Sequence, residues 1–131
     1  MKSLNIHNMK RVAASALAMA AVAAPALGET VSQKEALRLA QTFFNAANGQ
    51  VMGKPNLVYN GKHLTTDKLF SPFYVYNLPA GGFVIISAEN KAMPILGYSL
   101  KSSFDPDAMG EATKALLGEY ARDIEMIRYD S

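Results

Sequence analysis

The side chains capable of chemistry are few and scattered. Ser87 ends the run Phe83-Val84-Ile85-Ile86-Ser87, a strand pattern without the G-x-S-x-G turn that would expose a nucleophile. The 131 residues hold no cysteine and two histidines. His63 stands in a polar stretch with no thiol or second imidazole to share a site, so it reads as a solvated loop residue. Asp105 and Asp107 are spaced as metal ligands can be, yet Asp105-Pro106-Asp107-Ala108-Met109-Gly110 lacks the alternating ligands and distal glutamate of a calcium loop. Capping the start of a helix accounts for them better. Gly81-Gly82 joins strand to strand, and no helix N-terminus follows to hold a phosphate. Spacing alone identifies no carboxylate pair for glycoside hydrolysis. Tyr74, Tyr76 and Tyr98 read either as half-core or as a contact patch. The expectation is a protein that is not an enzyme and needs no cofactor or metal.

The elements that position these residues follow from local signals. Ser32 and Glu35 form an S-x-x-E capping box, with Val31 and Ala36 placed as a hydrophobic staple. Ala36, Leu37, Ala40, Phe43, Phe44 and Ala47 recur at helical spacing, and Asn48-Gly49 ends the helix. Pro55 to Tyr59 reads as an edge strand, Asn60-Gly61 as a turn and His63 to Lys68 as a polar loop. Phe73 to Leu78 is rich in aromatic and β-branched residues, which suit a pleated, half-buried surface. Pro79 to Gly82 turns it into Phe83 to Ser87, a hairpin. One of Ile85 and Ile86 is expected under a helix and fully buried, the other less so. Ile95 to Leu100 makes a third meander strand, where Gly97 suggests either a bulge or a close approach by another backbone. Asp105 and Pro106 read as N-cap and first helical residue. Gly110 weakens that first turn by roughly 1 kcal/mol, so the regular helix can begin beyond it. Leu117, Tyr120, Ile124 and Ile127 form its buried stripe, with Lys114, Arg122, Glu125 and Arg128 turned outward. The fold class is α+β: a small antiparallel meander with an N-terminal and a C-terminal helix packed on one face.

The first 28 residues stand apart. Lys2, Lys10 and Arg11 precede the apolar stretch Val12 to Ala24, which is too short to span a bilayer. Ala26-Leu27-Gly28 offers small residues where a signal peptidase reads, with Ala24-Pro25-Ala26 a second candidate. Residues 1–28 are therefore expected to be a signal peptide, and 29–131 a single domain in the periplasm or the extracellular medium, without a membrane anchor. The leader takes three of the 13 Lys and Arg residues and none of the 11 acidic ones. The mature chain keeps 10 basic residues against 11 acidic, a formal charge of −1. No basic tract remains to attract nucleic acid. An exported chain without cysteine must be stabilised by its core, not by disulfides.

The stretch Phe73 to Phe104 carries a resemblance. Its core, Tyr74-Val75-Tyr76-Asn77 with Gly81-Gly82-Phe83-Val84-Ile85-Ile86-Ser87, and Ile95-Leu96-Gly97-Tyr98-Ser99 resemble the propeptide domain of streptopain-type cysteine proteases (peptidase family C10) and the Spi-type stand-alone inhibitors related to it. The helix at Lys34 to Phe44 and the amphipathic helix after Phe104-Asp105 fit as well. In that family the prodomain holds its protease inactive. Here the chain ends at Ser131 with no cysteine to serve as a nucleophile, so the resemblance implies a monomeric inhibitor of a C10-type protease acting in trans. A different class is also open: an exported ligand- or protein-binding module, or a prodomain left over from a truncated protease.

The resemblance points to the loop entering the last helix as the part that meets the protease cleft. The implied contacts are Ser102, Ser103, Phe104, Asp107, Met109, Gly110, Glu111 and Ala112, with Met109 an exposed apolar side chain beside a flexible glycine. The sequence departs from the family pattern at Gly110 to Ala112, where a polar side chain is usual. The hairpin turn Pro79 to Gly82 is expected to be spared, at the opposite end of the sheet. A standard interface buries about 800 Å² per partner, roughly a seventh of the ~5,600 Å² surface expected for an ~11 kDa domain.

Overall fold

A computed structural model describes residues 30–48, 53–66 and 70–129. The leader, Gly49 and the Asp67-Lys68 part of the polar loop lie outside them. Helix α1 (Gln33–Asn48) precedes strands β1 (Asn56–Tyr59), β2 (Phe73–Asn77), β3 (Phe83–Ser87) and β4 (Ile95–Ser99), and helix α2 (Glu111–Tyr129) follows. The strands form one antiparallel sheet in the order β1-β2-β3-β4, a simple meander.

Local chemistry accounts for the start of α1. The Ser32 hydroxyl accepts the Glu35 amide at 3.1 Å. The Glu35 carboxylate takes the Arg38 guanidinium, so the capping box acts through its serine half. Val31 and Ala36 are buried in the same cluster, as a staple requires. Ala36, Ala40, Phe43 and Phe44 are the buried stripe of α1. Ala47, expected in it, is exposed, because it falls in the last turn.

The two helices do not share a face. Tyr74, Tyr76, Val84 and Ile86 pack with α1. Phe73, Val75, Phe83 and Ile85 pack with Leu116, Leu117, Tyr120 and Ala121 of α2. Successive residues of a strand point to opposite faces, so a helix on each side buries every residue of the central strand. β3 is buried throughout, and Ile85 and Ile86 are both 0% exposed. The expectation of one protected and one half-exposed isoleucine is thereby corrected. A continuous apolar run in a short strand is the pattern of a sheet covered on both faces.

The bulge in β4 has a packing reason. Ile86 pairs with Ile95 and Ile85 with Gly97, leaving Leu96 as the extra residue. Ile95 and Tyr98, three apart, would otherwise face opposite sides. The extra residue brings both toward α1, where Tyr98 meets the edge of Phe43 at 5.0 Å. A bulge leaves one residue outside the ladder, and here the Tyr120 hydroxyl donates to the Leu96 carbonyl at 2.9 Å. Gly97 marks the bulge, one of the two readings open in sequence.

The three tyrosines divide between core and cover. Tyr74 and Tyr76 are buried. Their hydroxyls donate to the carbonyls of Val31 and Gln33, at 3.1 and 2.9 Å. They therefore bolt the entrance of α1 to the sheet.

The described parts of the loop between β1 and β2, residues 60–66 and 70–72, are tied down by specific contacts. Gly61 adopts φ 65° and leads into a 3-10 turn, Lys62–Leu64. A Cβ at Gly61 would lie 2.6 Å from the Phe73 ring, so only glycine fits. Thr65 is buried, and its hydroxyl donates to nearby backbone carbonyls. The Thr66 amide donates to the Glu125 carboxylate. Arg128 lies over the Phe70 ring at 4.3 Å, a cation–π contact. Both side chains were expected to point outward from α2. They close its end over this loop instead. In α2, Leu117, Tyr120 and Ile124 are buried as expected, together with Thr113, Leu116 and Ala121, while Ile127 is half-buried.

Two outcomes follow. Ile85→Ala and Ile86→Ala should each lower the unfolding free energy by about 2–5 kcal/mol in denaturant titration, since either leaves a cavity. The Tyr76 phenol is pushed up to about 12 by burial and then by the neighbouring Tyr74. Its folded value exceeds the unfolded value of 10.0, so its stabilising contribution is complete below pH 10.0 and is lost as pH rises through about 12. Tyr76→Phe should be less stable at neutral pH by about 0.5–1.5 kcal/mol and should lose less stability over that alkaline range.

Candidate functional site

The segment between β4 and α2 begins at Ser99. Its buried hydroxyl accepts the amides of Lys101 and Ser102, at 3.2 and 3.0 Å. Such a serine turn ends the strand and redirects the chain. Further on, Asn77 holds the segment from the side. Its amide nitrogen donates to the Phe104 carbonyl at 2.9 Å, and its oxygen accepts the Phe104 amide at 2.9 Å. One side chain thus does for Phe104 what a neighbouring strand would do. Asn77 is the last residue of β2, so the segment is tied to the central hairpin.

Phe104 is 1% exposed. Its ring lies 5.5 Å from Tyr59 and 5.8 Å from Phe83, the latter edge to face. It therefore anchors the loop beneath the surface. Beyond it, the Asp105 carboxylate accepts the Asp107 amide at 3.0 Å, and its carbonyl accepts the Ala108 amide at 3.2 Å. Asp105 caps a turn, and the regular helix starts after Gly110, whose carbonyl accepts the Lys114 amide at 3.0 Å. Nothing lies within 4 Å of a Cβ built on Gly110.

The eight residues singled out in sequence are placed as follows. Asp107, Gly110, Glu111 and Ala112 are exposed, and Ser102 and Ser103 are half-buried. Met109 is only partly exposed and packs on the cluster of α2. Phe104 is enclosed. The exposed members form a ridge from the Asp105 turn into the first turn of α2. Glu111 and Lys114 pair at 3.9 Å on open surface, where such a pair contributes little.

The hairpin turn belongs to this same end of the sheet. Phe83 pairs with Ser99, and a Cβ at Gly82 would sit 3.0 Å from the Ser99 carbonyl oxygen. Gly82 also has φ 107°, a conformation that side chains disfavour. The placement of this turn opposite the ridge is therefore corrected. Pro79 and Ala80 are exposed beside it, as is Leu100 at 39%. Sequence reasoning missed Asn77 and Ser99. The available signal was an asparagine, poorly suited to strands, closing Phe-Tyr-Val-Tyr-Asn.

The Ser87 hydroxyl is buried and engaged by the backbone of Glu89. His63 lies exposed beside Tyr59, with its ring nitrogen 3.2 Å from the phenol. Among the described residues no group of three or more His, Asp or Glu side chains is placed to hold a metal. Among them, too, no helix is long and apolar enough to cross a membrane.

Comparison with known proteins gives the class of this small sheet with a helix on each face. The family model of the Spi protease inhibitor matches residues 28–124, and the chain belongs to that family. Streptopain of Streptococcus pyogenes is 40% identical over 55 residues, 42% of this chain and 14% of that protein. Streptopains of serotype M1 and of serotype M3 strain SSI-1 give the same figures. The aligned part spans only about a seventh of the length of these relatives. No solved structure gives a significant match.

Asn77→Ala removes both clasping bonds to Phe104. It should lower stability by about 1–3 kcal/mol, because two backbone groups lose their partner. It should also speed hydrogen exchange at the Phe104 amide more than at the amides of β3.

Proposed function

We propose that residues 29–131 form an exported inhibitor of a streptopain-like (C10) cysteine protease. The inhibitor works in trans, as a free monomer, by laying the ridge at Ser102, Ser103, Asp107, Met109, Gly110, Glu111 and Ala112 across the active-site cleft. Residues 1–28 are its signal peptide, removed after Gly28. The observation that carries this reading is the double clasp of Asn77 on Phe104, within a chain of the Spi protease inhibitor family.

The clasp matters for two physical reasons. Association costs about 4–15 kcal/mol in lost freedom, and every residue ordered on binding adds to that. A segment already held by Ser99, Asn77 and Phe104 has less order to gain. The second reason concerns cleavage. A protease cuts chain that can settle extended across its catalytic groups. Here the backbone amide and carbonyl of Phe104 are occupied, and the chain turns at Asp105. The ridge fills the cleft without offering a pliable substrate. The buried Phe104 serves from beneath, and Met109 is shared between core and surface.

Titration of the purified mature chain against a C10 protease from the same source tests this. Inhibition at or below micromolar concentration is expected, and undiminished protease activity would favour a binding module or an inert prodomain. Gly110→Trp and Ala112→Arg alter exposed positions and should weaken inhibition at least tenfold, with melting temperatures nearly unchanged. Met93→Asp, at the far end of the sheet, should leave inhibition intact. Met109→Asp should lower both inhibition and stability, because the side chain also packs on the core. Intact mass of the exported protein should correspond to a chain beginning at Glu29.

A further inference from the structure

The protease-binding ridge leaves the diglycine turn of the central hairpin without a role, although both stand at the same end of the sheet. The turn is pressed against the exit of β4. A Cβ at Gly81 would lie 3.3 Å from the Lys101 carbonyl oxygen, and one at Gly82 3.0 Å from that of Ser99. On the other flank, a Cβ at Gly53 would meet the Pro79 ring at 3.1 Å. Three stretches of chain are thus brought together around Pro79 and Ala80, at separations that side chains would not tolerate. The turn is also closed on itself. The Leu78 amide donates to the Gly82 carbonyl at 3.0 Å, and the Leu78 carbonyl accepts the Gly81 amide at 2.9 Å. On this fixed support Pro79, Ala80 and Leu100 are exposed.

Leu100 is the telling member. Among the described residues the large apolar side chains left exposed are Met93, Leu100, Met126 and Tyr129. Met126 and Tyr129 lie in the last turns of α2, and Met93 precedes the opposite end of β4. Leu100 alone of these stands at the ridge end. It is two residues from Ser102, so their Cα atoms are no more than about 7 Å apart. The ridge by itself is a small contact. A standard interface takes roughly 20–30 residues a side, whereas the ridge has seven, among them a glycine, an alanine and two serines. Along α2 it runs into exposed Lys114 and Glu119, residue types depleted from interfaces. Toward the hairpin it runs into exposed apolar surface instead.

We propose that Pro79, Ala80 and Leu100 form a second contact with the same protease. They make an apolar shoulder that rests on an apolar patch of the wall beside the active-site cleft, while the ridge fills the cleft. This inference rests on the protease-inhibitor reading of the ridge. The shoulder adds the apolar burial that the ridge lacks, and its close-packed backbone leaves little order to be lost on binding. It also has a use of its own. The catalytic groups of a protease class are fixed by their chemistry, but the wall beside them is not. A contact on that wall is where one protease can be told from another, because a mismatched surface there costs affinity without any change at the ridge.

Inhibition constants of the mature chain and its variants against a C10 protease from the same source test the shoulder. Leu100→Ser and Ala80→Arg should each weaken inhibition about tenfold or more. Their melting temperatures should hardly change, because both positions are exposed. Leu100→Met keeps an apolar side chain and should inhibit like the wild type. Met126→Ser removes a side chain that is 64% exposed at the other end, and it too should inhibit like the wild type. If Leu100→Ser and Ala80→Arg stay within about twofold of the wild type while Ala112→Arg is weakened, the shoulder is overturned and the ridge stands. An equal loss from Met126→Ser would also overturn it, since the effect would not be local to this surface. A wild-type chain that does not inhibit defeats the protease reading itself, and the shoulder with it. Should either shoulder variant fold poorly, the Leu100 methyl resonances of the wild-type chain decide. A shift or broadening on addition of the protease supports the contact, and unchanged signals refute it.

Discussion

Strands β2 and β3 must be hidden on both faces, and most of the structure answers that demand. Phe73, Val75, Phe83 and Ile85 look one way and Tyr74, Tyr76, Val84 and Ile86 the other. The 131 residues hold no cysteine that could brace an open face with a disulfide. The chain therefore spends one helix on each side. Full burial of a large apolar side chain stabilises by about 1.5–3 kcal/mol, and the eight central positions together dominate the favourable side of folding. The bulge at Leu96 follows from the same need, since it turns Ile95 and Tyr98 toward α1.

The segment entering α2 is tied to this centre. Asn77 closes β2 and clasps Phe104, while Phe104 packs on Phe83 and Tyr59. The loop is thus an extension of the best-buried hairpin and not an independent excursion. Sequence change in β2 or β3 would reach the ridge through two contacts. Conversely, Gly110 and Ala112 can vary with little consequence for the core, because their side-chain positions face open space. Such a division lets the exposed positions change while the fold is kept.

What the sequence revealed, and what it hid, divides along the range of the forces involved. The start of α1, the hairpin, the bulge at Gly97 and the onset of α2 beyond Gly110 are encoded within a few residues, and each can be read locally. The assignment of helices to faces is not. Phe-Val-Ile-Ile-Ser is apolar at consecutive positions, which fits two covered faces, but Phe-Tyr-Val-Tyr-Asn, rich in aromatic and β-branched residues, read as half-buried. Tyrosine misleads here because its polar tip can be satisfied by a carbonyl deep under α1. Asn77 and Phe104 meet across 27 positions of sequence, and no periodicity announces such a pair. Met109 and Phe104 looked alike as apolar residues in a polar loop. Only packing separates the enclosed one from the one that is shared with the surface.

The two ends of the sheet carry different elements, and topology explains why. In a four-stranded meander the β2–β3 turn and the exit of β4 fall at one end. The entry of the chain at Thr30, the turn after β3 and the last turn of α2 fall at the other. The helix α2 spans the distance, about 28 Å for its 19 residues. Its first turn supports the ridge, and its last holds the Thr66 amide, the Phe70 ring and the Thr30 hydroxyl. Stability gathered at the entry end therefore reaches the ridge through one continuous packed element. The end fastened at Thr30 by the Glu89 bridge and the Arg128 contact thus leaves the end at Ser99 and Gly110 clear.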